Sequence, residues 1–370
     1  MHATSALTEA DRIMTVCNSC RYCEGLCAVF PAMEMRRTFP DGDLDYLANL
    51  CHGCGACYYD CQFSPPHEFN VDLPRTLAQV RAQSYARYAW PAAFCSLFAC
   101  NGRAVSIAAA IGILLFLASF GLLESDSFLA AHINEGAFYA LMPHGAMAFV
   151  FGLAFLYALA ALGAGLANFS YAMGKPPSTL TAPRLLLQAT RDAARLRYLD
   201  GGGAGCMNEN ERPSDSRALF HHFTFYGFLL CFVATCAATV YHYVLGREAP
   251  YAWYSLPVLL GTAGGIGLLI GPVGLFAAKL HGDTALRDPE SRFMDLAFLA
   301  VLFLTAASGL ALLLFRATVA MGPLLAIHLG IVLALFLTMP YGKFVHGIYR
   351  FAALVHYVDE IEQSKEAPLS

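Results

Sequence analysis

CNSCRYCEGLC at residues 17–27 and CHGCGACYYDC at residues 51–61 repeat one spacing, C-x2-C-x2-C-x3-C. That is the run by which bacterial ferredoxins hold iron–sulfur clusters. Three thiolates two residues apart on a tight loop reach three corners of an iron–sulfur cube, and the fourth, carried out of the loop, reaches the other cube. The spacing therefore assigns Cys17, Cys20, Cys23 and Cys61 to one [4Fe-4S] cluster, and Cys51, Cys54, Cys57 and Cys27 to a second. Gly25, Gly53 and Gly55 leave room for backbone N–H groups near the sulfides. C-x2-C pairs also bind zinc, but a zinc site rarely uses three evenly spaced Cys plus a fourth. Disulfides do not suit a reducing compartment. Cys95, Cys100, Cys206, Cys231 and Cys236 read as small apolar or loop residues unrelated to metal.

Outside these motifs the chain changes character. Charged residues make up 14% of its 370 residues and hydrophobic residues 57%. A charge content so far below the ~25% of soluble domains excludes a disordered chain, a nucleic-acid binder and an ordinary soluble enzyme. Residues 1–103 hold 8 Lys/Arg and 10 Asp/Glu, as a soluble domain would. Six windows free of Asp, Glu, Lys and Arg come next, from Ala104–Leu123 to Ala317–Gly342. Each is long enough for ~20 apolar residues at 1.5 Å rise to cross a bilayer. Six transmembrane helices are expected near 104–123, 138–168, 220–245, 252–278, 295–315 and 321–345, in a domain spanning 104–356.

Met1–Arg12 lacks the apolar core of a signal peptide. Lys and Arg concentrate in the loop 169–217 and between the fourth and fifth helices. The positive-inside rule then places both termini and these two loops in the cytoplasm, with lipid around the helices. The expected location is the bacterial inner membrane. Within the loop, Leu185–Tyr198 has a basic face suited to the membrane surface, and GKPPST and DGGGAGC are breakers. Asp43 is a candidate helix cap ahead of LDYLANL, and residues 75–100 are a candidate amphipathic link to the membrane. The tail 357–370 is polar and expected to fray.

Polar side chains inside a bilayer mark function by default. The third apolar stretch carries His221 and His222 at its cytoplasmic end and His242 at its outer end. The sixth carries His328 and His346, which on one continuous helix are five turns and about 27 Å apart on one face. Antiparallel helices would pair the cytoplasmic histidines with each other, and the outer ones likewise, as axial ligands for one or two b-type haems. His221 lies roughly 60° around the helix from His242 and His222 roughly 160°, which favours His221. His132, His144, His281 and His356 read as bystanders.

The stretch from His328 to Arg350, with Pro340, Lys343 and His346, resembles the haem-binding helix of the gamma (cytochrome b) subunit of nitrate reductases, and related membrane subunits of heterodisulfide-reductase-type complexes. In that family a His-x4-Gly pattern on an earlier helix supplies the partner ligand. His222 and Gly227 match it, so the resemblance favours His222. Phe232 stands where the family has a further His, leaving His242 as the outer candidate. The two ferredoxin motifs ahead of such a membrane part make nearly the whole chain similar to the citrate/tricarballylate-utilisation B proteins. The resemblance implies a membrane electron shuttle. It would reoxidise the reduced FAD of a partner dehydrogenase, tricarballylate dehydrogenase, through the clusters and haem b, and deliver electrons to quinone. The membrane subunit of another oxidoreductase, or a redox-sensing anchor, would share these features. No substrate-converting site is legible, and GTAGGIG at 261–267 sits inside an apolar helix, where small residues serve packing. The expected fold is all-α: a helical ferredoxin-like domain with two [4Fe-4S] clusters fused to a six-helix cytochrome b-like bundle.

Overall fold

The computed structural model describes residues 2–203, 205–208, 210 and 212–366, and it is almost wholly α-helical. Five helices build the N-terminal domain: α1 (Ser5–Cys20), α2 (Val29–Glu34), α3 (Asp41–Leu50), α4 (Ala56–Tyr59) and α5 (Leu73–Tyr88). Thr4 caps α1 by accepting from the Leu7 N–H at 3.3 Å. Leu7, Ile13, Met14, Leu44, Leu47 and Leu77 are fully buried between these helices. Asp43 is not the cap of α3. That helix starts at Asp41 behind Pro40, and Asp43 pairs instead with Arg36 at 3.1 Å. Nor is 75–100 a link along the membrane. The α5 part belongs to the domain core, and only a 3-10 turn, Ala92–Phe98, leads to the next helix.

The remaining helices are α6 (Asn101–Leu123), α7 (Ser125–Phe128), α8 (His144–Ala172), α9 (Pro183–Ala194), α10 (Ser216–Tyr243), α11 (Leu256–His281), α12 (Arg292–Phe315), α13 (Met321–Thr338) and α14 (Val345–Glu366). Two short strands, β1 (Cys206–Met207) and β2 (Pro213–Ser214), pair antiparallel in the long loop. Six segments are long and apolar enough to cross a membrane: α6, α8, α10, α11, α12 and Met321–Tyr341. Leu114, Phe149 and Leu153 stand exposed on their flanks, as lipid-facing side chains would.

Glycine decides how closely these helices pack. A side-chain carbon added at Gly264 would lie 2.7 Å from the Gly227 carbonyl oxygen and 2.8 Å from the Cys231 backbone nitrogen. Small residues let two backbones touch where no hydrophobic drive pulls helices together. The glycine run in α11 is thus a helix seam, as its apolar setting suggested. Gly264→Val should lower stability by about 1–3 kcal/mol, because rigid backbone rather than a movable side chain opposes the methyls. A thermal melt of the detergent-solubilised chain measures this.

The sixth span and the helix after it differ from expectation. α13 stops at Thr338, a 3-10 turn covers Met339–Tyr341, and α14 begins at Val345. Pro340 has no N–H to give and its ring crowds the preceding turn. The Asn101 amide closes the break by donating to the Tyr341 carbonyl at 2.8 Å. His328 and His346 therefore sit on two helices, not on one face of a single rod.

α14 then runs on to Glu366, so the expected frayed tail is helical over 357–366, and 367–370 lie outside the described residues. Its far end is bound to the N-terminal domain. Glu360 accepts from Arg36 at 2.6 Å and from the Tyr46 hydroxyl at 2.9 Å, and Asp359 pairs with Lys175 at 2.8 Å. Glu360→Ala leaves the buried Arg36 without that partner, a loss of ~3 kcal/mol for a largely buried pair. Faster protease cleavage within 357–366 is the expected result.

Candidate redox site at the domain seam

The eight motif cysteines fall into two groups. Cys27, Cys51, Cys54 and Cys57 line one cavity, together with Leu26, Phe30 and Tyr198. Cys17, Cys20, Cys23 and Cys61 line another, beside Tyr22 and Phe63. In each, the last cysteine of one motif stands with the first three of the other. Among the described residues no three His, Cys, Asp or Glu side chains converge as a single ion would need. The thiols instead surround a space, which suits a cube rather than zinc. Burial, reinforced by neighbouring thiols, pushes Cys17 up to about 12 and Cys23 to about 11. Burial also raises Cys54 to about 11 and Cys57 well above its ordinary value. Thiolates so crowded need bound cations to stay ionised, and iron would supply them.

Local backbone prepares both cavities. The Gly53 N–H points at the Cys51 sulfur at 3.3 Å, and the Phe63 N–H at the Cys61 sulfur at 3.4 Å. Part of the long loop covers the first cavity. The Met207 N–H donates to the Cys54 carbonyl at 2.8 Å, and Tyr59 donates to Asp283 at 2.8 Å from the next loop. Gly202, at φ 76°, lies where a side-chain carbon would come within 2.8 Å of Leu26. Gly201 and Gly202 therefore press onto the site and are not merely a breaker. Cys206, read as a loop bystander, is buried and donates to the Leu199 carbonyl at 3.5 Å.

The residues joining this site to the membrane helices are arginines. Arg217 of α10 donates to the His52 and Gly53 carbonyls, both at 2.8 Å. Arg350 of α14 donates to the Cys51 carbonyl at 2.6 Å and the Asn49 carbonyl at 3.1 Å. Arg81 of α5 donates to the same Cys51 carbonyl at 2.7 Å. One helical turn along α10 and α14 lie His221 and His346, four residues from Arg217 and Arg350. Their ring centroids are 6.2 Å apart with the planes at 79°. His346 donates from Nδ1 to the Lys343 carbonyl, which leaves Nε2 with its lone pair. Burial, then the Lys343 and Arg350 charges, hold the His346 imidazole well below its usual value, in the neutral form a metal ligand needs. His221 Nδ1 is buried without a hydrogen-bond partner.

The structure thus brings His221, not His222, to His346. His222 stacks on Tyr226 at 5.7 Å instead. The adjacent position points elsewhere because successive helical residues differ by ~100°. The expected outer pair is not brought together. His242 stacks on His144, at 3.6 Å and 15°, and His328 hydrogen bonds with Ser308 at 2.9 Å. Among the described residues no ring contact joins His242 to His328. α10 packs mainly along α11, while α13 packs mainly along α6. His144, expected to be a bystander, stacks on His242, which also meets Tyr139 edge to face.

Comparison with known proteins supplies the family. A model described as citrate utilization protein B matches residues 99–368, and one described as the citrate utilization protein B Fer4-like domain matches residues 10–87. The chain belongs to the citrate utilization protein B family. A curated relative of that name from Escherichia coli is 47% identical over 366 residues, covering 98% of this chain and 95% of the relative. No solved structure matches. The family's two parts divide the chain where the Cys-rich and apolar regions meet, and its Fer4-like domain holds all eight motif cysteines. Arg81, Arg217 and Arg350 went unread in the sequence. The available signal was that Arg217 and Arg350 each stand one turn from a candidate haem histidine.

Proposed function

We propose that this member of the citrate utilization protein B family is a membrane electron carrier. It takes electrons from the reduced FAD of a partner dehydrogenase acting on a tricarboxylate, tricarballylate by the family resemblance, and delivers them to quinone. The observation that carries this reading is the seam itself. The loop of Cys51, Cys54 and Cys57 is hydrogen-bonded by Arg217 and Arg350, from the same helices that present His221 and His346 one turn away.

Cys17, Cys20, Cys23 and Cys61 would hold one [4Fe-4S] cluster, and Cys27, Cys51, Cys54 and Cys57 another. His221 and His346 would hold one haem b. Two metal–imidazole bonds of about 2 Å each, plus about 1 Å from nitrogen to ring centre on each side, require a separation of about 6 Å, and the rings stand at 6.2 Å. When bound, these groups supply one-electron carriers able to split the electron pair of a reduced flavin. The chain's own residues do the positioning. Met207 is hydrogen-bonded over Cys54, the arginines fix the loop against the helices, and Lys343 sets the His346 tautomer. In this reading the flavin partner docks on the side of the Cys17 group, where Tyr22 is largely exposed. Both termini face the cytoplasm of the bacterial inner membrane in this reading.

Oxidised and dithionite-reduced optical spectra, with iron, sulfide and haem counts, provide the test. About eight cluster irons and one b-type haem per chain are expected. Clusters without haem would demote His221 and His346 to packing residues and overturn the haem route.

A further inference from the structure

Arg81, Arg217 and Arg350 are gathered on the carbonyls of Ala48, Asn49, Cys51, His52 and Gly53. Among the described residues none of the three forms an ion pair. Their surroundings add further positive charge. Lys279 and Lys343 share the single carboxylate of Asp295, and Arg287 donates to the Lys279 carbonyl. A buried guanidinium without counter-charge is costly, and carbonyl dipoles offset it only in part. The seam therefore has an excess of fixed cations: Asp295, which also acts on Arg81, is already shared by two lysines, and the thiolates of Cys27, Cys51, Cys54 and Cys57 could supply further anionic charge beside them.

The other cysteine group has a different environment. Cys23 has the carboxylate of Asp60 for a neighbour. The guanidinium of Arg21 turns back on the Asn18 carbonyl at 3.0 Å, exposed to solvent. Net charge, hydrogen bonding and exposure set the potential of an iron–sulfur cluster.

We infer that Arg81, Arg217 and Arg350 are the built-in counter-charge of the Cys27–Cys51–Cys54–Cys57 cluster, raising its reduction potential above that of the Cys17–Cys20–Cys23–Cys61 cluster. Each electron added makes that cluster more negative beside three cations, so reduction is favoured there. The difference gives the relay a direction, from the cluster near exposed Tyr22 toward the membrane helices. This inference rests on the two-cluster reading above. The arginines act as positioning residues: they touch the loop and not the reacting atoms.

The test is an EPR-monitored redox titration of the full chain in detergent. Two cluster potentials are expected, and Cys57→Ala should remove the higher one. Arg350→Gln and Arg217→Gln should each lower the higher potential by about tenfold in the reduced-to-oxidised ratio, 59 mV for one electron. Both should leave the lower potential in place. Arg350→Lys, which keeps the charge, should restore most of the shift. Unchanged potentials in both Gln variants overturn the inference, as do equal shifts in Gln and Lys. If Arg350→Gln loses the cluster, Arg217→Gln carries the test, since its guanidinium grips His52 and Gly53 rather than Cys51. Cluster loss in both, unrelieved by Lys, also overturns it and makes the arginines scaffold. A wild-type chain without acid-labile sulfide would instead overturn the two-cluster reading beneath.

Discussion

Cys61→Ala is expected to remove the cluster of Cys17, Cys20 and Cys23, and to leave that of Cys51, Cys54 and Cys57 in place. Cluster iron should fall from about eight to about four per chain. The surviving EPR signal should be the one that Cys57→Ala abolishes. Cys20→Ala should give the same spectrum as Cys61→Ala, although the two residues belong to different motifs. Electron transfer from the reduced flavin partner to quinone should fall to background in each variant. The reason lies in the cavities: Cys61 lines the one built by Cys17, Cys20 and Cys23, and Cys27 lines the other. Normal quinone reduction by Cys20→Ala would sink the relay. Loss of the Cys51 signal in Cys61→Ala would overturn the crossed assignment alone.

His346→Ala and His221→Ala should each lose the haem, whereas His222→Ala should keep it. The haem-to-protein ratio and the reduced spectrum read this directly. The three positions differ in what they face. His221 and His346 approach each other edge to face across 6.2 Å, and His222 lies on Tyr226. His221 and His346 would hold the haem together, so losing either imidazole would leave the other to hold it alone. A haem count near zero in His222→Ala, with His221→Ala intact, would reverse the assignment in favour of the family-like His-x4-Gly pattern. His242→Ala and His328→Ala should leave the count unchanged, because the first stacks on His144 and the second bonds to Ser308.

Stability is concentrated at the same seam. The N-terminal domain buries its own core, yet Arg36 and Tyr46 also bind Glu360 at the far end of α14. The last helix therefore binds the domain twice, through Glu360 at its far end and Arg350 near its start, while Arg217 of α10 holds the cysteine loop as well. A domain tethered by one linker would tumble relative to the bundle. Two sets of polar contacts fix the cysteine loop against the helices that carry His221 and His346.

Repeated Cys spacing was enough to read the two ligand groups, since a tight loop can offer only three corners and must send its fourth thiol away. Charge-free windows were enough for the six spans, since a bilayer accepts little else. Those features are local or periodic, so the amino-acid order by itself determined the all-α plan, the position of the Fer4-like domain and the way the eight cysteines group. The choice between His221 and His222 was not of that kind. One residue turns a side chain by ~100°, and which direction is useful depends on where α14 lies. That depended on the break at Pro340, which only the packed structure places. The same holds for the outer histidines, the Met207 contact over Cys54 and the buried arginines. Each is defined by a neighbour distant in sequence, so their roles were settled by tertiary packing and not by any pattern along the chain.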